Sequence, residues 1–169
     1  MNERADADAL SLARYGVGQP VPRTEDPVLL RGEGRYTDDL NEPGQAYACI
    51  VRSPHAHGLL KNIDSAAARA MPGVLAVYSA ADLAAYGPHK CIVPLVNRDG
   101  TPMKKPERRA LASGSVRYVG DPVACVVAQS ALQARDAAEA VELAIEPLPA
   151  VSLASDAAKP GAPQLYGDV

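Results

Sequence analysis

An α/β (α+β) fold, a mixed sheet with short helices packed on it, is what this sequence predicts, and three observations carry that reading. Two stretches run strand, helix, strand, one around Asp64 to Met71 and one around Ala131 to Leu143. Apolar runs of strand length are separated by turn dipeptides, among them Pro43-Gly44, Pro72-Gly73 and Gly120-Asp121. Helix-start residues stand at the right places: Asp64 before the first helical stretch, and Ser130 with Gln133 as a capping box before the second.

Taken in order, residues 1–17 are polar and Ala-rich and read as a flexible N-terminal arm, residues 18–151 as the folded domain, and residues 152–169 as a Pro/Gly/Ala-rich linker. From Gly18 to Gly44, Pro and Gly interrupt any regular element, so an extended segment with turns is expected, stapled down by Val28, Leu29, Leu30 and Leu40. Ala46 to Val51 is a continuous apolar run suited to a strand buried on both faces. Leu59 to Ile63 follows as a strand, Ser65 to Met71 as a short helix, and Val74 to Tyr78 as a strand. Ser79 opens a helical turn ending near Gly87.

Further strands are expected at Cys91 to Val96, Val116 to Val119, Pro122 to Ala128 and Ile145 to Val151, the last confined to an edge by Pro147 and Pro149. Asn97 to Arg109 reads as an exposed loop. The helix Ala131 to Leu143 places Ala134, Ala138, Val141 and Ile145 on one face and Arg135, Asp136, Glu139 and Glu142 on the other.

At 169 residues the chain is long enough for one domain with a real core. Trp and Phe are both absent and Tyr numbers only 7, so burial must rest on Val, Leu, Ile and abundant Ala. A net charge of -3 gives no general attraction for phosphate backbones, which argues against nucleic acid as a partner. No secretory leader and no run of about 20 apolar residues is present, so neither export nor a membrane partner is expected, and the cytoplasm is the expected compartment. Cys49, Cys91 and Cys125 are odd in number, far apart and set in apolar runs, which predicts buried free thiols.

Several groups have residue types that could carry chemistry. His55 and His57, two apart, would share a strand face and could start a metal site, but no third or fourth ligand is evident and His89 is remote, so hydrogen bonding within a loop is the better reading. Gly32-Glu33-Gly34 and Gly16-Val17-Gly18 lack the strand before and helix after that a phosphate-cradling loop needs. Glu25-Asp26 and Asp38-Asp39 suit turn capping better than paired acid–base work. Lys104, Lys105, Arg108 and Arg109, with Glu107 among them, form a basic cluster that reads as a solvated loop, or more pointedly as a contact for an acidic partner surface. No Gly-x-Ser-x-Gly elbow occurs, and no catalytic, cofactor-binding or metal-binding residue is assigned.

Four segments carry a resemblance: Pro22 to Leu40 (PRTEDPVLLRGEGRYTDDL); Val51 to His57 (VRSPHAH) with Ile63 to Ala68; Met71 to Val77 (MPGVLAV) with Ala81-Asp82-Leu83; and Val116 to Ala124 (VRYVGDPVA), leading through Asp136-Ala137-Ala138-Glu139 into Glu146-Pro147-Leu148-Pro149. In this order and spacing the chain resembles the N-terminal α/β-hammerhead domain of the large, molybdopterin-binding subunit of the xanthine dehydrogenase, aldehyde oxidase and carbon monoxide dehydrogenase family. Gly58-Leu59-Leu60 and Cys125 are small departures from the family pattern, expected to affect packing only.

The resemblance implies an oxidoreductase acting on aldehydes, purines, other heteroaromatics or carbon monoxide, with a molybdenum–pterin cofactor in later domains and iron–sulfur clusters and FAD in partner subunits. It implies as partners the remaining domains of the large subunit, to which residues 152–169 would lead, and the iron–sulfur subunit. No molybdenum or pterin ligand carries over to these residues, so this chain alone is expected to be inactive and to contribute structure. The alternative expectation is a stand-alone protein-interaction module. Either way, apolar surface left uncovered would favour self-association.

Overall fold

A computed structural model describes residues 23–93 and 95–167, so the arm expected at 1–17, the Gly16-Val17-Gly18 turn, Pro94 and the last two residues lie outside the described residues. The chain divides at Pro43/Gly44 into two units. In the first, the segment expected to be extended contains a five-residue helix, α1 (Asp26–Leu30), and a 3-10 turn at Thr37–Asp39. Pro27 stands in the first turn, where its missing N–H breaks no helical hydrogen bond, so this proline starts a helix instead of interrupting one. Val28, Leu29, Leu30 and Leu40 do not act as staples, since all four are exposed.

In the second unit the strands are β1 (Tyr47–Arg52), β2 (Gly58–Asp64), β3 (Val74–Tyr78), β4 (Ser115–Val116), β5 (Pro122–Ala128) and β6 (Glu142–Pro147). They form two three-stranded antiparallel sheets, ordered β1-β5-β3 and β4-β2-β6. Helices α2 (Ala66–Ala70) and α3 (Ala131–Glu139) connect the sheets, because β2-α2-β3 crosses from the second to the first and β5-α3-β6 crosses back. Both strand–helix–strand units expected from the sequence are therefore present, each spanning two sheets.

The core follows from that crossing. Val77 and Val126 of the first sheet meet Ala68 of α2, Ala137 of α3 and Val141, with Ile63 and Leu143 of the second sheet packed alongside. A second cluster, Ala112, Val116 and Val123, shares Ile63 and Leu143 with the first. The largest fully buried side chains are only valines, Val116, Val123 and Val126. Ala68, Ala134 and Ala137 present nothing beyond Cβ, so the helices lie close on the sheet, and dense packing replaces bulk in a core without Phe or Trp.

Local signals account for most boundaries. Ser130 Oγ accepts from the Gln133 backbone N–H at 3.2 Å, capping α3 as expected. The Asp64 carboxylate accepts from the Ala66 N–H at 2.9 Å and so opens α2. Helix α3 stops at Glu139 rather than Leu143, because residues 142–147 pair with β2, from Glu142 opposite Asp64 to Pro147 opposite Gly58. Strand pairing outweighs helical periodicity there, and β6 begins three residues earlier than expected and ends at Pro147.

Three further expectations are corrected. Among the described residues of Cys91 to Val96 no strand forms; Leu95 N–H bonds the Val93 carbonyl at 3.1 Å, and a single bridge joins Val96 to Pro102, which has no N–H to extend a ladder. The strand expected over Val116 to Val119 is the two-residue β4, because the chain turns at once, with Asp121 N–H on the Tyr118 carbonyl at 3.1 Å. The tail contains a short helix, α4 (Ala154–Ala157). No described helix is long and apolar enough to cross a membrane.

Gly58 is a tight backbone position in β2. A Cβ there would stand 2.6 Å from Ile145 Cγ2 and 2.9 Å from the Glu146 carbonyl oxygen. Gly58→Ala is expected to force β2 and β6 apart at a cost of about 1–3 kcal/mol. A thermal melt with Tm unchanged from the parent chain would contradict this packing.

Candidate functional site

The most organised polar assembly among the described residues joins the β1–β2 connection to the turn before β5. Ser53 is 2% exposed and sits where β1 ends. Its hydroxyl accepts from the His55 N–H at 3.0 Å and donates to the His55 carbonyl at 2.9 Å, closing the Ser53-Pro54-His55 turn on itself. Its backbone binds the neighbouring turn at both ends: Ser53 N–H to the Asp121 carbonyl at 2.9 Å, and Gly120 N–H to the Ser53 carbonyl at 2.8 Å. Arg52 Nη1 adds a bond to the Gly120 carbonyl at 2.9 Å. Gly120 adopts φ 89°, a conformation that favours glycine, so this turn depends on its lacking a side chain.

Asp121 works at both levels, since its Oδ2 accepts from the Arg117 N–H at 2.9 Å. Arg117 in turn donates through Nε to the Leu165 carbonyl at 3.2 Å and lies 4.4 Å from the centroid of the Tyr166 ring. The end of the chain is thereby tied to the turn. Around these groups lies an open cleft of about 320 Å³, lined by Arg108, Arg109, Arg117, Tyr118, Asp121 and Tyr166 among others.

His55 and His57 occupy the loop between β1 and β2 rather than a strand face. His55 contributes its backbone to the Ser53 turn. His57 places Nδ1 3.0 Å from the Pro149 carbonyl, an acceptor only, so that nitrogen carries the proton and donates. The His57 carbonyl accepts from Leu148 N–H at 2.9 Å, making the loop a clamp on the strand that leaves β6. Among the described residues no three His, Cys, Asp or Glu side chains come together to hold a metal ion.

The other sequence candidates are separated in space or engaged locally. Gly32-Glu33-Gly34 follows α1, with Gly32 at φ 71° and Glu33 Oε2 3.2 Å from Arg31 Nε. Asp26 Oδ2 accepts from the Arg23 N–H at 3.2 Å, and Asp39 Oδ2 from the Tyr36 N–H at 2.9 Å. In the basic cluster, Arg109 pairs with Glu107 at 2.5 Å and Arg108 Nη2 lies 3.3 Å from the Tyr118 hydroxyl. Neither Ser53 nor the Arg117–Tyr166 pair is given a role by the sequence. Asp121 beside Gly120 was a legible turn signal, whereas the long reach from Arg117 to Leu165 leaves no local trace.

Of the three thiols expected to be buried, Cys49 and Cys125 are half-buried on β1 and β5, while Cys91 is exposed because its strand does not form. Burial, and then the neighbouring Cys49, push the Cys125 thiol above its ordinary value. At the surface, the Asp82 carboxyl is held below its usual 3.8 by the Ser79 backbone N–H and hydroxyl, at 2.7 and 2.8 Å.

The class this architecture defines is the α/β-hammerhead, two short antiparallel sheets bridged by small-residue helices. The family described as "Aldehyde oxidase and xanthine dehydrogenase, a/b hammerhead domain" matches residues 31–149, and the chain belongs to that family. It is 42% identical over 140 residues to the nicotine 6-hydroxylase large subunit of Paenarthrobacter nicotinovorans, covering 83% of this chain and 17% of that one. It is 40% identical over 145 residues to the xanthine dehydrogenase molybdenum-binding subunit of Escherichia coli O157:H7, covering 80% and 18%. The crystal structure of quinoline 2-oxidoreductase from Pseudomonas putida 86 superposes with a TM-score of 0.74 at 38% identity, over 88% of this chain and 18% of that one. The chain thus spans less than a fifth of the length of the relatives it matches.

Two outcomes follow from this geometry. Ser53→Ala removes both hydroxyl bonds of the turn and is expected to cost about 1–3 kcal/mol, read as a lowered denaturant midpoint; an unchanged midpoint would contradict the role given to Ser53. Since thiolate is the reactive form, iodoacetamide should label Cys91 first and Cys125 last in the native protein, and mass spectrometry showing Cys125 modified ahead of Cys91 would refute that order.

Proposed function

We propose that this chain serves as the structural hammerhead domain of the large subunit of a molybdenum hydroxylase, an oxidoreductase acting on aldehydes, purines, other heteroaromatics or carbon monoxide. In this reading the chemistry belongs to the larger part of such a protein. The molybdenum–pterin cofactor would sit in the remaining domains of the large subunit, and the iron–sulfur clusters and FAD in companion subunits, in the cytoplasm. Family membership over residues 31–149, together with relatives named as a hydroxylase large subunit and a molybdenum-binding subunit, supports this assignment.

The observation that carries the structural role is how the described polar groups are used. The side chains of Ser53 and Asp121 bond backbone within their own turns, those of His57 and Arg117 bond backbone of distant segments, and no buried side-chain polar atom among the described residues lacks a partner. Among the described residues no set of three potential metal-binding side chains converges, and the His57 nitrogen facing Pro149 is engaged by the carbonyl. No step of the oxidation is assigned to them.

The test is metal analysis of two preparations. The complete enzyme, purified from its source, is expected to hold molybdenum in stoichiometric amount. The 169-residue chain expressed alone is expected to give a folded far-UV CD spectrum with no bound molybdenum and no turnover. Stoichiometric molybdenum with aldehyde or purine oxidation by the isolated chain would overturn the proposal.

A further inference from the structure

Residues 88–110 leave the sheets as an irregular hairpin. Its arms meet where His89 N–H bonds the Arg108 carbonyl at 2.7 Å, where Met103 N–H bonds the Leu95 carbonyl at 3.4 Å, and at the Val96–Pro102 bridge. The tip is built rather than loose. Asn97 N–H reaches the Thr101 carbonyl at 2.8 Å, and the Asp99 carboxylate accepts from the Thr101 N–H at 3.0 Å and hydroxyl at 2.7 Å.

The two arms differ in chemistry. The first carries Ile92, Val93, Leu95 and Val96, which are 88%, 51%, 59% and 69% exposed. The second carries Lys104, Lys105, Arg108 and Arg109, all exposed. From His89 to Arg109 there are six cationic side chains against two carboxylates, a net +4 in a chain whose total is -3. Apolar exposure on this scale within one short element marks an interaction surface, and an apolar centre flanked by charge is how protein interfaces are built.

We infer that this hairpin is the element by which the domain docks onto an acidic protein surface elsewhere in the molybdenum hydroxylase assembly, an inference that rests on the function proposed above. The charge selects an acidic partner. The hydrogen-bonded arms and tip hold the exposed apolar and cationic side chains on a built element, which favours the fixed groups of a protein surface over the fluid headgroups of an anionic membrane. There is also protein to supply the surface, since the relatives extend over more than four times the length this chain covers.

The experiment uses the complete enzyme and a zero-length carbodiimide, which joins a lysine amine to a carboxylate only where the two touch. Lys90, Lys104 or Lys105 is expected to couple to Asp or Glu of polypeptide outside residues 1–169. Lys104→Glu combined with Lys105→Glu, at exposed positions where folding is unaffected, is expected to weaken partner retention about tenfold, more strongly at low salt. Cross-links confined to this chain or to a second copy, or assembly undiminished by charge reversal, would overturn the inference. So would hairpin-dependent binding to phosphatidylserine vesicles without any such cross-link. An enzyme that holds molybdenum but shows no hairpin cross-link sinks the docking inference alone; a complete protein without molybdenum sinks the function proposed above and the docking with it.

Discussion

The close approach of two helices to two small sheets is the constraint on which the rest of this structure depends. Alanine makes it possible. Ala68, Ala134 and Ala137 are buried with no side chain beyond Cβ, so α2 and α3 rest against Val77 and Val126 without an intervening layer. A core of this texture gains its stability from dense packing of many small groups rather than from a few large burials. It leaves little room for added volume, and Gly58 shows the same economy on the sheet side, where β6 passes within contact of the β2 backbone.

Because each helix connects strands of different sheets, the sheets cannot slide independently, and the connections at their ends fall into fixed places. The β1–β2 loop and the Gly120-Asp121 turn are brought together by the pairing of β1 with β5, which sets Arg52 opposite Pro122. Once together, they are joined by backbone bonds in both directions and by the Ser53 hydroxyl. Arg117 and His57 then extend the same function outward, one to Leu165 and the other to Pro149. Polar groups that could in other settings perform chemistry are held here by carbonyl oxygens, which gives this corner its rigidity.

Much of the fold was legible in the sequence because local signals and tertiary outcome agree. Val74–Tyr78 and Pro122–Ala128 fall where apolar runs bounded by turns put them, and the Ser130–Gln133 cap opens α3 as its spacing indicates. The disagreements arise where a long-range partner decided the matter. Residues 140–143 keep helical periodicity, yet Leu143 and Glu142 pair with β2. The apolar run at Cys91 has strand composition but no neighbouring strand among the described residues to receive it, so its side chains stay exposed. The resemblance identified the family through ordered segments such as Val116 to Ala124, while the clamp formed by Ser53, Asp121 and Arg117 required the folded geometry, since Ser53 meets Asp121 and Arg117 meets Leu165 only through bonds between residues far apart in the chain.

The central proposal is that His57, Arg117 and Asp121 hold backbone in place and that neither His55 nor His57 takes part in substrate oxidation. It is tested most directly by turnover per molybdenum atom in the complete enzyme carrying His55→Gln and His57→Gln together. The account predicts a value equal to that of the unaltered enzyme once both are normalised to bound molybdenum. A fall of tenfold or more at equal metal content and equal Tm would contradict it.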